Sequence, residues 1–228
     1  MNLEESARET VRQATVKLTK KGGQGVLVPG GFILTAAHCV EWRSEGTMMA
    51  VGGHFIEEIG TVDGESLRVR PFALEPVLDI ALLGPLDNQE FSDEADAFEL
   101  FCERTRPVLV RTDEPERSTK FPAFILSHLG PWIKADAQLL RDGEPTLFLE
   151  SGRIERGTSG GPVVDAHGHL LGVVSHGGHT RGDKTDSGNT PRPHRALPAW
   201  AWEAIAQAQA EASPKPEETI THTGSGAI

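Results

Sequence analysis

Gly30-Gly31-Phe32-Ile33-Leu34-Thr35-Ala36-Ala37-His38-Cys39 decides how this chain folds. Phe32 to Thr35 favour a pleated strand, and the run ends in two small alanines and a histidine. Gly25-Val26-Leu27-Val28 stands just before it, with Pro29-Gly30 between as a turn signal. The pair therefore predicts a hairpin that carries His38 at the end of its second strand. Two further strings follow in order, Leu78-Asp79-Ile80-Ala81-Leu82 and Gly157-Thr158-Ser159-Gly160-Gly161-Pro162. They supply a carboxylate inside an apolar run and a serine among glycines. A serine hydroxyl is a weak nucleophile at neutral pH. It needs an imidazole to take its proton, and the imidazole needs a carboxylate to fix its tautomer. A charge within an apolar run such as that of Asp79 is costly to bury without a partner. His38, Asp79 and Ser159 are thus a candidate triad, in the order His, Asp, Ser.

These strings resemble those of a trypsin-like serine peptidase of the chymotrypsin superfamily, in its bacterial, HtrA-like branch without a PDZ domain. The resemblance rests on residues 30–39, on Val77 to Leu83, on Arg156 to Val164, and on the strand Leu171 to Gly178 that follows. It spans most of residues 10–210. The fold it implies is all-β, with two six-stranded antiparallel β-barrels (a chymotrypsin-like double barrel) and a C-terminal helix. The function it implies is a serine endopeptidase working through an acyl-enzyme, with His38 as base, Asp79 as its orienting partner and Ser159 as nucleophile. The backbone N–H groups of Gly157 and Ser159 would form the oxyanion hole. Ser175 would support the triad through a hydroxyl contact with Asp79. Arg153, Ile154 and Arg156 would line the primary specificity pocket, and Ser175, His176 and Gly177 would pair with substrate backbone.

The cleavage preference stays open. Arg153, if turned inward, would favour acidic side chains; the branch otherwise has a small apolar pocket; Asp183 and Asp186 in a later loop leave a basic preference in play. Thr158 stands where many trypsin-like enzymes carry an Asp that pairs with a freshly cut N-terminus, so activation by such a cut is not expected. No C-terminal peptide-binding domain is expected in a chain of this length. A catalytically silent binding module on the same fold is the alternative. The string Gly157 to Gly161 also fits the G-x-S-x-G elbow of α/β-hydrolases, but that fold needs its histidine after the serine.

Bulk properties agree. The 228 residues suffice for two compact units. The 25 glycines and 15 prolines suit many short strands with turns. A net charge of −11 argues against nucleic acid, whose phosphates need a basic face. Cys39 and Cys102 are the two cysteines. The relatives' usual partner for the Cys beside the histidine has no counterpart among Gly22 to Gly25, and a Cys39–Cys102 bridge stays open. Free thiols and an N-terminus without the pattern of a signal peptide read as a cytoplasmic protein, with no membrane span. No cofactor or metal is expected, since His167, His169, His176 and His179 lack the Cys or carboxylate pattern of a zinc site. The partners expected are a protein or peptide substrate, with an activating or regulatory protein left open.

The expected layout is a first barrel with a short N-terminal helix over residues 1–100, a second barrel and terminal helix over 101–212, and a disordered tail over 213–228. Leu197 to Ala212 reads as that terminal helix. Ile80 to Leu83 is expected to close the first barrel. Residues 86–106, rich in Asp and Glu, read as an irregular connector.

Overall fold

The computed structural model describes residues 2–45, 48–50, 55–113, 119–139, 146–150, 154–175, 177–178 and 187–212. The chain starts with helix α1 (Glu5–Ala14), which has Glu5 in its first turn and Arg12 in its last, each favourable to the helix dipole. Strands β1 (Thr15–Leu18), β2 (Gln24–Val28) and β3 (Phe32–Thr35) follow, and β2 and β3 form the predicted hairpin, with Gly25 opposite Thr35 and Val28 opposite Phe32. A single 3₁₀ turn, Ala37–Cys39, carries the histidine. A two-stranded ribbon, β4 (Arg43–Glu45) with β5 (Met48–Ala50), leads to β6 (Glu57–Gly60), β7 (Ser66–Glu75) and β8 (Ile80–Gly84).

Six strands close a barrel in the order β1-β2-β3-β8-β7-β6. Each of the six has two neighbours: β1 pairs with β2 and β6 (Lys17 opposite Gly60), and β8, the last of them in the chain, joins β3 to β7 and completes the ring. Every residue of β8 is buried. That burial explains its unbroken apolar run, which gives no alternation by which to judge its place in the sheet.

The acidic stretch is not irregular. Ser92–Arg104 is helix α2, and its Ala95, Phe98 and Phe101 are buried. Spaced three apart, they form one stripe of a helix, while Asp93, Glu94, Asp96 and Glu99 occupy its other faces. The helix packs on β7. Arg68 reaches Glu94 at 2.7 Å, and Arg104 forks onto the Glu65 carboxylate.

The second half contains β9 (Lys120–Leu126), β10 (Trp132–Leu139), β11 (Thr146–Glu150), β12 (Pro162–Val164), β13 (Leu170–Val173), β14 (Gly177–Gly178) and β15 (Ser187–Pro191). They form one seven-stranded sheet in the order β13-β12-β9-β10-β11-β15-β14. The sheet curls until β13 meets β15: a Cβ on Gly172 would lie 2.3 Å from the Pro191 carbonyl oxygen. No ladder joins those strands among the described residues, so the architecture is one closed barrel and one curled sheet rather than two closed six-stranded barrels. It is mostly β rather than all-β. A short helix α3 (Pro193–Ala196) precedes the expected terminal helix, α4 (Ala199–Ala212).

One apolar core fills the barrel and continues through Val110, Phe124, Val164 and Leu170 into the second half. A smaller one, with Ala123, Ile125, Val163 and Val174, lies within the second sheet. Residues 213–228 lie outside the described residues. No helix among the described residues is long and apolar enough to cross a membrane.

Candidate active site

His38 sits in the 3₁₀ turn at the end of β3, and Asp79 sits in the turn entering β8. Because β3 and β8 pair directly, with Thr35 opposite Ala81, the sheet register brings the two side chains together. One Asp79 oxygen accepts the His38 backbone N–H at 2.9 Å. The carboxylate also faces Nδ1 of the ring, at 3.0 and 2.8 Å from its two oxygens. It therefore fixes the position and the tilt of the imidazole at once. The Ser175 hydroxyl donates to the same carboxylate at 2.5 Å. Asp79 is the one non-glycine residue with a positive φ among the described residues, at 56°. Such a conformation is uncommon, better tolerated by Asp and Asn than by other side chains, and typical of places where a group must be aimed.

The pair is polarised. The hydrogen bond to Asp79, joined by the Cys39 thiol, pushes the His38 pKa up to about 10 against a smaller pull from burial. Burial alone would raise the Asp79 carboxyl, but the hydrogen bonds from His38 and Ser175 outweigh it and hold it below the usual carboxylate range. Cys39 and Cys102 are both free thiols, so the Cys39–Cys102 bridge left open from sequence is not formed.

The Gly157–Gly161 loop is held from both halves of the molecule. Gln24 of β2 donates its backbone N–H to the Ser159 carbonyl at 2.8 Å. Gly160 donates to the Val174 carbonyl at 2.7 Å, and Val174 donates back to Gly161 at 2.9 Å. Gly160 has φ +76°, and a Cβ there would lie 2.1 Å from the Gln24 carbonyl and 2.3 Å from Thr35 Oγ1. Only glycine fits. Thr35, three residues before His38, donates its hydroxyl to that same Gln24 carbonyl at 2.6 Å. The loop carrying Ser159 is thus pressed against the strand that carries the histidine. Gly157, with φ +94°, lies under the ring of His128, whose carbons would be 3.1–3.2 Å from a Cβ at that position.

Several supports escape a reading of sequence. Gln24 and Thr35 look like ordinary strand residues. His128 carries no motif, yet it covers Gly157 and its Nδ1 lies 3.3 Å from the Thr158 hydroxyl. Of the pocket residues expected from sequence, Ile154 packs against the smaller apolar core and Arg156 is exposed. Gly177 lies in β14, opposite Gly188. Arg153, His176, Asp183 and Asp186 lie outside the described residues. No cluster of three metal-binding side chains occurs among the described residues.

Residues 23–173 match the trypsin-like peptidase domain family, and the chain belongs to it. Solved structures share the fold. A serine endoprotease from Yersinia pestis superposes with a TM-score of 0.56 at 15% identity, over 90% of this chain and 66% of that one. The HtrA-type protease AlgW, solved with a tripeptide, gives 0.56 at 17% identity over 83% of this chain and 60% of that one. This chain thus spans less than two thirds of the length of either. The inactive form of the Rv3671c protease of M. tuberculosis gives 0.54 at 14% identity, over 94% of this chain and 98% of that one. A sequence comparison with curated proteins finds no match.

Proposed function

We propose that this chain is a serine endopeptidase that cleaves peptide bonds with His38, Asp79 and Ser159. The observation that carries the reading is the Asp79 carboxylate. It binds both the backbone and the ring of His38 and also takes the Ser175 hydroxyl, in a member of the trypsin-like peptidase family.

In the proposed reaction His38 accepts the Ser159 proton through its other ring nitrogen as the serine oxygen attacks the scissile carbonyl. The carbonyl oxygen becomes an oxyanion, and the N–H groups of Gly157 and Ser159 stabilise it. Each such donor contributes about 3 kcal/mol in the transition state. His38 then gives its proton to the leaving amine as the C–N bond breaks. A water molecule, deprotonated by His38, attacks the acyl-enzyme and frees Ser159. Asp79 stays ionised and stabilises the imidazolium.

The substrate would bind as an added strand. Strand β14 ends its sheet and pairs with β15 on one side only among the described residues. Its backbone is a suitable template for an extended segment, which favours loops and unfolded chains over compact domains. A protein partner that restricts this activity belongs to the same proposal.

The test is labelling of the purified chain by a fluorophosphonate probe, beside Ser159→Ala and His38→Ala. Labelling of the wild type alone is the expected result. No labelling, in folded protein, would overturn the reading in favour of a binding module or a latent site.

A further inference from the structure

A cavity of about 200 Å³ lies in the seam between the barrel and the second sheet, and its lining includes Gln24 and His128. The ladders of the barrel set its floor: Gln24 of β2 faces Lys17 of β1, and Lys17 faces Gly60 of β6. Arg12 stands over it from α1. The turn after β9, from Ser127 to Gly130, forms the opposite wall.

Two features set this cavity apart. First, its charge opposes that of the molecule. Among the described residues no acidic one lines it, while Arg12, Lys17 and His128 do, in a chain of net charge −11. Glu9 pairs with one nitrogen of Arg12, at 3.5 Å, and Lys17 has no ion pair among the described residues. Second, its rim is apolar in an exposed place. Val62 and Leu129 are 47% and 66% exposed, two of the few large apolar side chains so open to water among the described residues.

We infer that this cavity is a binding site for a small carboxylate with an apolar tail. The carboxylate would lie between Lys17 and Arg12, and the tail would cover Val62, Leu126 and Leu129. Two sources share this chemistry: a free carboxylic acid, and the carboxyl end of a peptide with an apolar last residue. The site touches the supports of the nucleophile loop, because Gln24 holds Ser159 and His128 covers Gly157.

The test uses the full chain with Ser159→Ala, so that binding is read by calorimetry with no need for activity. Hexanoate, N-acetyl-leucine and its neutral amide are titrated separately. Both acids are expected to bind at least about tenfold more tightly than the neutral amide, as a charge-assisted hydrogen bond implies. Tighter binding of N-acetyl-leucine assigns the site to chain ends, and tighter binding of hexanoate assigns it to free acids. Lys17→Glu, at an exposed position, and Leu129→Asp, in an exposed turn, are each expected to abolish binding while circular dichroism stays unchanged. Equal binding of the neutral amide, undiminished binding to Lys17→Glu, or no binding to the folded chain overturns the inference.

Discussion

At the residue scale, the Asp79 backbone separates two effects that a substitution normally mixes. Asn accepts a positive φ at least as well as Asp, and it is nearly isosteric. Asp79→Asn is therefore expected to keep its melting temperature within a few degrees while kcat/KM for a peptide substrate falls by about 10⁴, because the amide favours the wrong imidazole tautomer. Asp79→Ala should lose activity and stability together. The pH response follows from the same pair. Only the neutral imidazole accepts a proton, and His38 is held above its ordinary 6.5. The rate of probe labelling should rise with pH through a midpoint above 6.5, and Asp79→Asn should move that midpoint down. Stability has the opposite sign at the alkaline end. A raised histidine pKa stabilises the fold fully below 6.5 and loses that contribution as pH climbs towards about 10. A lowered carboxyl stabilises above its ordinary 3.8, and the contribution disappears as pH falls through the depressed value. Urea unfolding across this range would reveal both limbs. The meeting of His38 with Asp79 could be read from sequence because its chemistry demands particular residue types beside particular neighbours. Gln24 and His128 could not, because they act by position: one through its backbone N–H, the other as a lid on a glycine.

At the element scale, the hairpin of β2 and β3 was legible because its turn and its strands agree. Helix α2 was not. Counting its carboxylates suggests a solvated connector, whereas Ala95, Phe98 and Phe101 at three-residue spacing record a buried stripe. The period of the few apolar residues outweighs the number of charges. Phe98 and Phe101 are among the largest fully buried side chains, with ring centroids 6.3 Å apart. Phe98→Ala is expected to cost about 3–5 kcal/mol in chemical denaturation, as an unfilled cavity in a core does. A solvated connector would have shown almost no loss. Gly160→Ala belongs to the β2 contact as much as to the loop. The added methyl meets the Gln24 carbonyl, and overpacking together with the unfavourable φ should cost about 3 kcal/mol. A melting curve would show that loss even in a chain that also carries Ser159→Ala.

At the scale of the whole molecule, the β class was legible, while closure of the second half was not. Closure depends on which edges meet, and edge meeting is decided by twist and by close approaches such as Gly172 to Pro191, which leave no mark in a local pattern. The C-terminal helix shows how distant segments are tied. Gln209 of α4 acts on the backbone of Val110, 99 residues away, accepting from its N–H and donating to its carbonyl at 2.8 Å each. Val110 in turn bridges Leu170 of β13. Gln209→Ala should leave two backbone groups without partners and cost about 1–3 kcal/mol. Gln209→Met would separate this loss from the loss of side-chain bulk.

The Ser159 carbonyl hangs from β2, and the next glycine hangs from Val174, so neither half of the chain can shape that loop by itself. If residues 1–106 and 107–228 were made as separate polypeptides, each would be inert towards the probe. Mixing them would restore labelling only where the fragments reassociate, and the time course of that recovery would report docking between the halves rather than any chemical step.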